Sequence, residues 1–227
     1  MNNLRVIFIL AFITSCNSQN TTNCTEQKTQ VGTTSCSEFD VTAIEEIDPV
    51  DDITGVPNEA LTWDTDIYMS NFSVEQQEKV EKAAELLKKV ISSKEFRDRV
   101  INYNYNGQNS FVDNQGLSNV QIYQKILNGA EKLLPTKNNM LDVELELYTD
   151  TSSTIGYTYP NTVRIWMNTK YFNYYTPYDV TDNLMHEWMH KLGFDHAASW
   201  SAARDHSVPY AIGYLVKELS KKNFPNI

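Results

Sequence analysis

One short string near the C-terminus constrains this chain more than any other: His186-Glu187-Trp188-Met189-His190-Lys191-Leu192-Gly193-Phe194-Asp195-His196, which holds all but one of its 4 histidines. Just upstream, Thr176-Pro177-Tyr178-Asp179 offers a helix N-cap, a proline at the first helical position and an acid in the first turn. Gly193 is a natural stop, so the pattern predicts one helix over 177–192. Residues four apart share a helix face, so His186 and His190 can point imidazole nitrogens at one ion about 2.0–2.1 Å away. Glu187 projects beside them without having to bind it. The turn at Gly193 then presents His196 as a third neutral ligand. Three protein ligands leave a fourth tetrahedral position for water, the arrangement of a single catalytic rather than structural Zn2+.

The rest of residues 59–227 reads as one domain, with 41% hydrophobic and 11% aromatic residues in the chain to supply its core. Ser73-x-x-Gln76 is a capping box, and Val80, Ala83, Ala84, Leu87 and Ile91 follow at helical spacing, which predicts a helix over 74–91. A weaker helix follows Ser93, with Phe96 and Val100 on one face. Another follows Ser118, its buried side marked by Val120, Ile122, Tyr123, Ile126, Leu127 and Leu133 and its end by Pro135. Leu141, Val143, Leu145 and Leu147 alternate with acids, a strand with one buried face. Residues 154–159 and 163–168 are two further β-type runs joined through Pro160-Asn161, and the stretch after Pro209 is a closing helix that buries Ile212, Leu215, Val216 and Leu219.

The full string His186-Glu187-x-x-His190-x-x-Gly193-x-x-His196 resembles that of the metzincin metalloproteases. The resemblance is specific over those residues and looser in the order of elements from about residue 74 onward. It implies an α+β or α/β catalytic domain: a mixed, mostly parallel sheet with an antiparallel edge strand, backing helices, the zinc helix and a small C-terminal subdomain. It also implies a zinc endopeptidase in which an extended peptide or protein substrate pairs with the edge strand at 154–159. Glu187 would then act as general base, taking the proton of the water that attacks the peptide carbonyl and delivering it to the leaving amine. The sequence departs from the family at its Met-turn, because no methionine follows Met189 and Ser207-Val208-Pro209-Tyr210 stands in the expected region. A tyrosine near this turn stabilises the oxyanion or binds zinc in several metzincins; Tyr210 is the candidate here, with Tyr214 behind it.

The N-terminus carries a different message. Residues 1–15 have a short basic start and an apolar run, Val6 to Ile13, that is well below the ~20 residues of a membrane span. The run ends in Ile13-Thr14-Ser15-Cys16, which resembles a bacterial lipobox. That resemblance implies cleavage before Cys16 and its acylation. With Asn17 rather than Asp after it, the expected location is exported and lipid-anchored, at the outer membrane or cell surface; an ordinary secretory signal is the alternative. Cys24 and Cys36 form an even pair suited to a disulfide in an oxidising compartment, or one thiol blocks the metal. Residues 16–58 read as a polar and then acidic tether, or as a prosegment in which Asp48, Asp51 or Asp52 caps the metal.

The charge belongs mostly to that arm. The chain has 19 Lys and Arg against 29 Asp and Glu, a net −10. Residues 38–59 hold eight acids and no base, and −10 − (−8) leaves about −2 elsewhere. The balance argues against nucleic acid as a partner, and the domain is expected to be monomeric. Other readings of the residues stay open. Glu218 offers the third ligand of a gluzincin-type peptidase, and a surface lipoprotein can keep the metal without catalysis. His206 is a second candidate for His196's place, and Asp195 can orient a ligand imidazole or simply be solvated.

Overall fold

The computed structural model describes residues 62–227. The expected signal peptide, Cys16, the Cys24 and Cys36 pair and the acidic arm with Asp48, Asp51 and Asp52 lie outside the described residues. The described part is mixed α and β, with one open, mostly parallel sheet of four strands and six helices.

The sheet order is β1 (Asp64–Ser70), β2 (Met140–Tyr148), β4 (Arg164–Asn168) and β3 (Gly156–Thr158). β1, β2 and β4 run parallel, and β3 pairs antiparallel to β4 through Gly156↔Met167, Tyr157↔Trp166 and Thr158↔Ile165. The alternation in β2 suits it to an interior place, because Leu141, Val143, Leu145 and Leu147 all point into the core, and it is flanked by β1 and β4. Its opposite face carries Glu144 and Glu146, and Arg164 of the neighbouring β4 pairs with both at 2.7 Å. At the far edge β1 presents Asp64 and Asp66, charges that discourage a second sheet from adding there.

Helices α1 (Val74–Ile91), α2 (Lys94–Ile101), α3 (Asn119–Asn128), α4 (Thr169–Phe172), α5 (Pro177–Lys191) and α6 (Val208–Asn223) complete the domain. α1 starts at the expected capping box of Ser73 and Gln76 and buries Val80, Ala83, Leu87, Val90 and Ile91. α5 also begins as the sequence predicts, with Thr176 and Asp179 capping each other around Pro177. Trp188 of α5 is wholly buried, stacks edge-on to Trp63 at 5.7 Å and donates from Nε1 to the buried Glu131 carboxylate at 2.6 Å. Those contacts fix α5 about its own axis, which decides where its histidines point.

Some expectations need correction. α3 does not run on to Pro135. It ends at Gly129, whose φ of 64° is left-handed, and the Asn128 carbonyl accepts the amides of Asn138 and Asn139 at 3.1 Å as the chain turns into β2. Leu133 is therefore 46% exposed rather than buried. β3 covers only Gly156–Thr158 of the expected 154–159. At its start the side chain of Asn168 captures the carbonyls of Thr154 and Asp150, and at its other end Pro160 has no amide to donate. β1 and α4 were not anticipated from the sequence.

The cap of α5 yields a pH prediction. Burial pushes the Asp179 carboxyl up, but hydrogen bonds from Thr176 and the Lys217 ammonium at 2.9 Å outweigh it and hold the pKa at about 2. A pKa held below its unfolded value stabilises the fold above the usual carboxylate range and loses that contribution as pH falls toward 2. Asp179→Asn is expected to cost about 1 kcal/mol at pH 7 after allowance for solvent screening. The difference from wild type should close between about pH 4 and pH 2, read by denaturant melts across that range.

Candidate metal centre

The three motif histidines converge on one point. His186 and His190 leave the same face of α5, and the chain reverses at Gly193, whose φ of 96° favours glycine, to bring His196 back over them. Ring centroids lie 5.1 Å apart for His186 and His190, 5.1 Å for His186 and His196, and 5.0 Å for His190 and His196, an almost equilateral triangle. One nitrogen from each falls within 4.8 Å of the others, so the group can hold a metal ion.

The donor chemistry fits a metal. His190 Nδ1 lies 2.7 Å from the Phe194 carbonyl and His196 Nδ1 lies 3.0 Å from that of Ala197. A carbonyl only accepts, so each Nδ1 donates to it, and Nε2 is the nitrogen left for a ligand. The Arg204 Nε contact with His196 Nδ1, at 3.5 Å, is too long to reverse that assignment. The Nε2 atoms of His186 and His196 are 3.2 Å apart. Two metal bonds of about 2.0–2.1 Å at a tetrahedral angle place their nitrogens about 3.3 Å apart, so the pair already has the spacing an ion requires. Burial, then the neighbouring His190, His196 and Arg204, hold His186 well below the usual histidine range, and burial lowers His190 as well. Neutral imidazole is the ligating form.

Glu187 stands next to this triangle. Its side chain is 5% exposed, and burial pushes its carboxyl up to about 8, against the pull of the Lys191 charge one turn along the helix. Tyr210, at the start of α6, lays its ring 4.3 Å from that of His186 and 4.7 Å from that of His196, and the Arg204 guanidinium stacks over it at 4.5 Å. α6 can approach so closely because residue 213 is glycine: a Cβ there would sit 2.8 Å from Asp182 Oδ1 and 2.9 Å from the Asp182 carbonyl oxygen. Together these residues line a cleft of about 840 Å³, with residues 153–160 along one wall and Tyr210, Tyr214 and Arg204 on another.

The structure thus gathers His186, His190, His196, Glu187, Tyr210 and Tyr214 around one cleft. Other candidates stand elsewhere. His206 Nδ1 bonds the Tyr103 hydroxyl at 2.6 Å while its ring stacks on Tyr105, so it is not one of the clustered imidazoles. Glu218 forms a two-pronged pair with Arg99 at 2.9 and 3.0 Å and is absent from the cluster. Asp195 is 82% exposed and 3.6 Å from His190 Nδ1, and the orienting contact it was considered for is made by the Phe194 backbone. Sequence reasoning passed over Lys191, Glu131 and Arg204. A lysine four residues after Glu187 on a buried helix face was a signal for the first; nothing local marked the other two.

No family model and no curated protein matches this chain. No helix among the described residues is long and apolar enough to cross a membrane.

Proposed function

We propose that this chain is a zinc-dependent endopeptidase of the metzincin type, exported and lipid-anchored through Cys16 at a bacterial outer membrane or cell surface. One observation carries the reading: three imidazoles close enough to share one ion, with the buried Glu187 carboxyl beside them, open into a cleft walled by a sheet edge. Zinc bound there supplies a Lewis acid for a carbonyl oxygen and acidifies water.

The remaining chemistry falls to side chains. Glu187 accepts the proton of the attacking water and passes it to the leaving amine; its burial keeps competing solvent away from that transfer. β3 offers the backbone groups of its free edge to an extended peptide, which would lie across the cleft in front of α5. Tyr210 places a phenol beside His186 and His196, where it can donate to oxygen bearing developing charge.

The test is a zinc titration of the purified chain together with digestion of a diverse peptide mixture, with and without residues 17–58. Cleavage that needs stoichiometric zinc supports the reading. Zinc uptake with no cleavage favours the alternative, a surface lipoprotein that keeps its metal for stability or adhesion, a reading prompted by the absence of methionine after Met189. Tyr210→Phe is expected to lower kcat about 10²-fold or more with KM and zinc content unchanged, because it removes a donor used only in the transition state. Mass spectrometry of the mature N-terminus tests the anchor, and an unmodified Cys16 would refute it.

A further inference from the structure

Lys191 lies one turn beyond Glu187 on α5 and is only 6% exposed, yet none of its contacts is a carboxylate. Its ammonium donates to the carbonyls of Tyr159 at 3.3 Å, Thr162 at 2.6 Å and Arg164 at 2.9 Å, and to the Thr158 hydroxyl. All four acceptors belong to the end of β3, the turn that follows it and the start of β4. Thr158 in turn donates to the Arg164 carbonyl at 2.6 Å, closing the ring of contacts. A buried cation is costly to desolvate, and here backbone carbonyls replace its water.

The strand it grips is held at its start by Asn168, which binds the Thr154 carbonyl, and along its length by Tyr157 stacked on Trp166, while the ammonium holds its far end. β3 is three residues long and pairs with β4 on one side only. A strand that short is marginal by itself. The helix that grips it is the same helix that carries His186, Glu187 and His190.

We propose that Lys191 is a positioning residue that clamps the β3 edge at a fixed distance from the metal ligands, and so sets where an extended peptide paired with that edge meets them. The proposal rests on the peptidase reading for its ligand. A misplacement of about 1 Å at such a site can cost about 10²-fold in rate, so a single clamp between strand and helix has leverage.

The experiment compares the full chain with Lys191→Met, which keeps the stem and loses the ammonium. Hydrogen exchange of residues 156–164 is expected to quicken at least about tenfold, with the α5 amides and zinc stoichiometry unchanged. A tripeptidyl hydroxamate that spans β3 should bind about tenfold more weakly, whereas acetohydroxamate, which reaches only the zinc, should bind as to wild type. Thr158→Val removes one acceptor and should move both readouts in the same direction by about threefold; it decides the matter if Lys191→Met fails to fold. Wild-type exchange in the hairpin of both variants overturns the clamp, even in an active peptidase. A wild-type protein that takes up zinc but neither cleaves peptides nor prefers the longer hydroxamate ends the peptidase reading and the ligand-positioning role together, whatever the hairpin does.

Discussion

Glu187→Gln is expected to lower peptide turnover by about 10²–10⁴-fold while zinc uptake stays at wild-type stoichiometry. The amide has nearly the shape of the carboxyl, so packing at a position 5% exposed is retained. It has no basic oxygen to receive a proton, so only the transfer is lost. Both kcat and kcat/KM should fall together with KM little changed, the signature of an interaction made in the transition state. Turnover in Glu187→Gln within threefold of wild type would remove Glu187 as the base, and another group would then have to be sought in the cleft.

The second large effect concerns His196. Its replacement by alanine is expected to weaken zinc binding by more than about 100-fold, since even partners outside the ligand set are worth 10–100-fold. At zinc near 100 times the wild-type dissociation constant, bound metal stabilises the fold by about 2.7 kcal/mol, and His196→Ala should lose most of it. Thermal melts with and without zinc read that difference directly. His206→Ala is the matched control: its ring sits between Tyr103 and Tyr105, so it should lower the metal-free melting temperature somewhat and leave the zinc-dependent increment intact. An equal loss of the increment in both variants would mean that the site is not built from the cluster at His186, His190 and His196.

Where periodicity and caps act locally, sequence reasoning located the elements well. Ser73 with Gln76 and Thr176 with Asp179 close capping boxes because each needs only residues three apart, and β2 follows from a strict alternation that has one way to bury its leucines. β1 escaped notice because its residues are half-exposed acids and tyrosine alternating with weakly buried Ile67 and Met69; it is a strand only because β2 lies beside it. Leu133 continues the helical spacing and so extends the predicted α3, whereas a Cβ at Gly129 would meet the Met140 carbonyl oxygen at 2.2 Å, where the chain doubles back into β2, a close approach that helical spacing does not encode.

The candidate site divides along the same line. Its candidate ligands and candidate base could be named from spacing, since helix periodicity alone puts His186 and His190 on one face and a glycine alone permits the reversal to His196. The sequence by itself therefore determined which atoms can meet an ion. Only the tertiary structure decided what surrounds them: the Tyr210 ring against the imidazoles, the Arg204 guanidinium over that ring, and the Lys191 ammonium buried among hairpin carbonyls. Those partners are brought together by packing of α5 against β3, β4 and α6. Spacing along one helix is a short-range property that residues carry with them, while burial and charge environment are set by segments distant in the chain.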